Sequence, residues 1–98
     1  MIELVAERLS AVHDLCRKNY VKQLELFGSA ATGEFDPAHS DIDLLVQFEP
    51  EAPVHFLDFL IELEDLFGRK VDLLEASAVR NPYLIREINR QRVPVYVA

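Results

Sequence analysis

Cysteine is almost missing from this chain. Cys16 stands alone, so no disulfide can form within it. Tryptophan is absent, glycine occurs 3 times, and no repeat, low-complexity stretch or linker is present. Positive charge is also scarce, with 10 Lys and Arg against 17 Asp and Glu and a net charge of −7. That deficit argues against a DNA partner, since duplex-binding proteins carry a basic stripe. It suits a metal site, a basic protein partner, or solubility alone. No apolar run approaches the ~18 residues of a membrane span. The N-terminal Met-Ile-Glu-Leu-Val-Ala-Glu has neither the basic n-region nor the apolar core of a signal peptide. A cytoplasmic protein without membrane association is therefore expected.

At 98 residues, half of them hydrophobic, the chain predicts one domain spanning 1–98 with a modest core. Ile2, Val5, Leu9, Val12 and Cys16 recur at helical spacing, predicting an amphipathic helix over 2–18 with Cys16 as a buried structural thiol. Val21 to Phe27 reads as a strand that ends at Gly28. A short helical turn and a loop, punctuated by Gly33 and Pro37, fill residues 29–40. Ile42 to Phe48 reads as a second strand, and its near-continuous apolar centre predicts burial on both faces.

A second helix is expected from about His55 to Phe67, closed by Gly68 as C-cap. Its core stripe takes Phe56, Phe59, Leu60, Leu63 and Phe67. Leu57 and Ile61 widen the apolar arc, either as broad packing or as a contact surface. Val71 to Leu74 is a third strand, Pro82 opens a third helix, and Val93 to Val97 closes the chain as an edge strand marked by Pro94. The order α-β-β-α-β-α-β predicts an α/β (α+β) domain with a mixed sheet and flanking helices.

The chemistry concentrates in two places. In a strand, residues i and i+2 project from the same face, so Asp41 and Asp43 lie together while Ile42 turns away. Paired carboxylates repel unless a cation sits between them, and hard Mg²⁺ is the natural occupant. Asp72, inside the third strand, either pairs with Arg69 or Lys70 or joins the same cation site. Three carboxylates on adjacent strands could hold two Mg²⁺ ions ~3.5–4 Å apart. Gly28-Ser29 follows a strand and opens a helical turn, which aims backbone amides at an anion. Gly28 permits close approach and Ser29 adds a hydroxyl. His39, before Asp41, reads as a solvated loop histidine, and His13 and His55 as surface positions on helices.

This co-occurrence resembles the polymerase β-type nucleotidyltransferase superfamily, most closely its minimal (MNT) branch of HEPN/MNT toxin–antitoxin systems. Gly28, Ser29, Gly33, Ser40, Asp41, Asp43 and Asp72 stand in the places of the family pattern, and the resemblance covers the whole chain. Many minimal members read Gly-Ser-Arg-Ala-Arg-Gly, whereas this chain reads Gly28-Ser29-Ala30-Ala31-Thr32-Gly33. Both arginines are absent, and Arg69 and Lys70 are the candidates to compensate.

The resemblance implies an Mg²⁺-dependent nucleotidyltransferase using ATP, with Mn²⁺ as a substitute ion. Asp41, Asp43 and Asp72 would be its catalytic and metal-binding residues. Gly28, Ser29, Thr32 and Ser40 would bind nucleotide. It further implies an antitoxin that transfers AMP to a tyrosine of a HEPN-domain toxin, in a hetero-oligomer or as a homodimer. The rival expectation is a catalytically weak module that neutralises its partner by binding alone. A small-molecule nucleotidyltransferase would need an acceptor-binding second domain that the 98 residues do not supply.

Overall fold

The computed structural model describes residues 1–53 and 55–98. Helices α1 (Glu3–Ala6) and α2 (Leu9–Lys18) lead into strand β1 (Val21–Phe27). The short α3 (Ser29–Thr32) and a loop then precede β2 (Ile42–Phe48). Helix α4 (Phe56–Phe67), β3 (Val71–Glu75), a 3₁₀ turn (Ala76–Ala78), α5 (Pro82–Gln91) and β4 (Val93–Val97) complete the order. The strands form one mixed sheet, β3-β2-β1-β4, in which β2 and β3 run parallel and the other neighbours antiparallel. This is the mixed-sheet architecture expected from the sequence, with Pro94 on an edge strand.

One expectation is corrected at the start. The predicted single helix over 2–18 is broken at Glu7–Arg8. Arg8 N bonds Val5 O, and the Arg8 guanidinium donates to Leu4 O at 3.1 Å, so carbonyls freed by the break find donors.

The main core lies between one face of the sheet and helices α1, α2 and α4. Leu24, Leu26, Ile42, Leu44 and Val46 from the sheet meet Val12 and Cys16 of α2 and Phe59, Leu63 and Phe67 of α4. Burial pushes the Cys16 thiol up to about 12, which leaves it inert at neutral pH. A smaller cluster of Phe27, Leu45 and Ile88 covers part of the other face beneath α5. Strand β2 is thus buried on both faces, as its apolar run predicts.

Local chemistry sets the helix ends. Asn81 caps α5 by accepting from Tyr83 N at 2.9 Å, with Pro82 in the first turn. Gly68 ends α4 in the left-handed conformation, and the Glu64 carboxylate accepts from Val71 N to anchor the start of β3. The two helix-associated histidines are half-buried and bonded to neighbouring elements. His13 bonds Val95 O at 2.8 Å and packs edge-on against Tyr96, while His55 meets Asn19 Oδ1 at 3.3 Å.

Candidate active site

The sheet register builds the site. Asp43 stands directly opposite Asp72 in the parallel β2–β3 pair and opposite Phe27 in the antiparallel β1–β2 pair. Asp72, Asp43 and Phe27 therefore form one row across three strands, all on the face that carries Leu45 and Leu74. Asp41 precedes β2 by one residue and shares the Asp43 side by alternation. Asp43 and Asp72 lie side by side at one end of this face, and the Asp41 charge acts on Asp43.

Their mutual charge is visible in Asp43, which is half-buried and whose carboxyl is raised from 3.8 to about 6. Lost hydration is the first cause, and the Asp72 and Asp41 charges add to it. Asp72 is exposed, so Asp43 carries the strain of the row. Lys70 Nζ stands 3.8 Å from Asp41 Oδ2, a long and solvated ion pair.

Gly28 closes the other side of the site. It adopts φ 65 and ψ −150, a region open essentially to glycine alone. A Cβ built on Gly28 would overlap the Asp43 carboxylate. Glycine is required here to admit the carboxylate of the neighbouring strand, a reason the sequence did not disclose. The amides of Ala31 and Thr32 bond back to Gly28 O at 3.1 and 3.2 Å, which leaves the amides of Ser29 and Ala30 ahead of the helical ladder. Thr32 is exposed at the end of α3, one turn beyond Ser29.

The loop into Asp41 is tied down rather than open. Ser40 Oγ accepts from Asp36 N at 3.0 Å, and Ser40 N donates to Asp36 O at 2.8 Å. Arg69, a candidate phosphate cation from sequence, is turned to this loop instead. It donates to Pro37 O at 2.9 Å and Ser40 O at 3.4 Å and lies 5.2 Å from the Phe35 ring centre. His39 is exposed and bonds Asp36, which holds the Asp36 carboxyl below the usual range.

Sequence reasoning also missed Glu25. It is buried on the Asp43 face, two residues before Phe27, and pairs with Arg92 Nε at 3.3 Å. A carboxylate alternating in phase with the apolar Phe27 was the available signal.

The donor set suits a hard divalent cation in kind: carboxylate oxygens only, with excess negative charge at half-buried Asp43. Among the described residues, no three His, Cys, Asp or Glu side chains are grouped so as to hold a metal ion. A divalent ion beside Asp43 and Asp72 would take the rest of its shell from water and substrate phosphates, as Mg²⁺ commonly does.

Residues 10–95 match the nucleotidyltransferase domain family, and the chain belongs to that family. Two relatives from Methanocaldococcus jannaschii, named "Putative protein adenylyltransferase" MJ0128 and MJ1379, are 37% and 36% identical. Each alignment covers 89% of this chain and 97% of the relative. A solved "putative minimal nucleotidyltransferase" is 33% identical, with a TM-score of 0.76 over 95% of this chain and 96% of that one. The fold also matches a toxin–antitoxin complex with AMP-PNP, at a TM-score of 0.73 and 20% identity, over 92% of this chain and 73% of that one. A further match is a chain from a complex of tri-AMPylated Shewanella oneidensis HEPN toxin with MNT antitoxin. It has a TM-score of 0.67 and 18% identity over 95% of this chain and 72% of that one.

Proposed function

We propose that this nucleotidyltransferase is an Mg²⁺-dependent antitoxin that moves AMP from ATP to a tyrosine of a HEPN-type toxin. The observation that carries the reading is the single row that sets Asp43 beside Asp72 and against the Gly28 turn. The names of the M. jannaschii relatives and the AMPylated HEPN toxin beside an MNT chain support the same chemistry.

In this reading the triphosphate seats on the Ser29 and Ala30 amides and the Ser29 hydroxyl. Asp41, Asp43 and Asp72 would hold the divalent ion, which when bound offsets phosphate charge as the pyrophosphate departs. Asp72, exposed at the rim, accepts the proton of the incoming tyrosine hydroxyl. The tyrosine oxygen bonds to the α-phosphorus and the α–β bridging bond breaks. Pyrophosphate carries away that electron pair. Burial and the neighbouring carboxylates disfavour the Asp43 charge, so Asp43 would gain most from a cation beside it.

One observation favours the weak-module alternative. Ala30 and Thr32 occupy the places of the family arginines, and Arg69 is committed to the Pro37 and Ser40 carbonyls. ATP labelled separately at the α- and γ-phosphates separates the readings when a HEPN partner is present. Adenylyl transfer leaves α-label on the partner and releases γ-label with pyrophosphate. Neutralisation of the partner without either label would establish the binding module.

A further inference from the structure

Helix α4 has more apolar surface than its core contacts use. Phe59, Leu63 and Phe67 are buried against the sheet, yet Leu57 is 64% exposed and Ile61 48%. These two lie one turn apart on the solvent side. Single exposed leucines are ordinary, but this pair sits within a shaped and charged surface. A cleft of about 390 Å³ borders Ile61 and is lined by Lys18, Asn19, His55, Asp58 and Glu62. Beyond Glu62 a second cleft, of about 400 Å³, exposes Leu15 and Leu66 beside Asp14 and Asp65.

The charges decide what fits. The cations nearby are already committed, Lys18 to Glu62 and Arg17 to Asp14, each at 2.5 Å. Among the described residues no ion pair involves Asp58 or Asp65. The apolar pair is thus rimmed by two carboxylates free to meet cations. A second copy of this chain does not satisfy that pattern. A two-fold contact sets a patch against itself, bringing the Asp58 and Asp65 rims together in a chain of net charge −7.

We infer that the α2–α4 surface docks a partner protein through a basic amphipathic helix. Apolar side chains one turn apart would cover Leu57 and Ile61, and flanking Lys or Arg would meet Asp58 and Asp65. Helix α4 covers the sheet face opposite the one carrying Asp43 and Asp72. A partner held here leaves the carboxylate row open to its own acceptor segment. The inference does not depend on the transfer chemistry.

The test uses a synthetic amphipathic helix of about five turns, Leu on one side and Lys on the other. A second peptide carries Glu in place of Lys. Binding to the full chain is read by fluorescence anisotropy in about 0.15 M salt, where long-range attraction is damped. The Leu/Lys peptide should bind, and the Leu/Glu peptide should not. Leu57→Ser with Ile61→Ser, and separately Asp58→Lys with Asp65→Lys, should each weaken binding roughly tenfold or more. All four positions are exposed, so both variants should keep the wild-type circular dichroism spectrum. Undiminished binding by either folded variant would overturn the inference, as would equal binding of the two peptides. So would a wild-type dimer on a sizing column that the serine pair abolishes, because it would assign the surface to a second copy.

Discussion

Replacing Asp43 with Asn removes a charge disfavoured by burial and by two neighbouring carboxylates, so the variant should be more stable than wild type when no divalent ion is present. Asp43 is raised from 3.8 to about 6, by lost hydration first and then by Asp72 and Asp41. The folded state therefore binds its proton more tightly than the unfolded chain does. Stability from the protonated form is complete below about 3.8 and is lost as the pH rises through about 6. In a fully shielded site the difference would be ~3 kcal/mol. Asp43 is only half-buried, and water screening reduces this to ~1–2 kcal/mol.

In EDTA at pH 8, Asp43→Asn should melt about 5–10 °C above wild type for a chain of this size. The gap should close near pH 4. Adding Mg²⁺ and a non-hydrolysable ATP analogue should reverse the order, because only wild type gains stability by mass action. If the variant is no more stable than wild type at pH 8 in EDTA, Asp43 is not electrostatically frustrated and the argument fails.

Gly28→Ala forces a side chain into a glycine-only conformation and against Asp43, and should cost ~1–3 kcal/mol in urea unfolding. It should also abolish nucleotide-dependent stabilisation in thermal melts. Arg69→Ala should cost ~1–2 kcal/mol and raise the KM for ATP by loosening the loop into Asp41. Arg69→Lys should not restore it, since an ammonium lacks the planar fork that reaches both carbonyls. Thr32→Arg returns a cation beside the Gly28–Ser29 turn and should tighten ATP binding roughly tenfold by calorimetry, the worth of one charge-assisted contact. Unchanged affinity would mean that Thr32 does not face the phosphates.

The fold was legible because its signals are local and mutually consistent. Alternation in 21–27, the unbroken apolar centre of β2, Pro82 and Gly68 each report on their own neighbourhood. The row of Asp43 and Asp72 was legible only as a conjecture, since register between β2 and β3 depends on how α4 packs between them in sequence. Other facts were not legible. The break at Glu7–Arg8 leaves the apolar period of 2–18 intact, so periodicity cannot reveal it. The bond of His13 is to Val95, 82 residues away. Arg69 looked like a phosphate cation because sequence gives its charge but not its direction. The Pro37 and Ser40 carbonyls decide that direction.

The central claim is that the carboxylate row transfers AMP to a partner protein. Intact-mass spectrometry of a purified HEPN-type partner tests it most directly, after incubation with this chain, ATP and Mg²⁺. Wild type should add whole AMP groups to the partner, at a tyrosine on fragmentation. Asp41→Ala and Asp43→Ala should add none while remaining folded and bound to it. A partner that is silenced by wild type yet unchanged in mass would contradict the account.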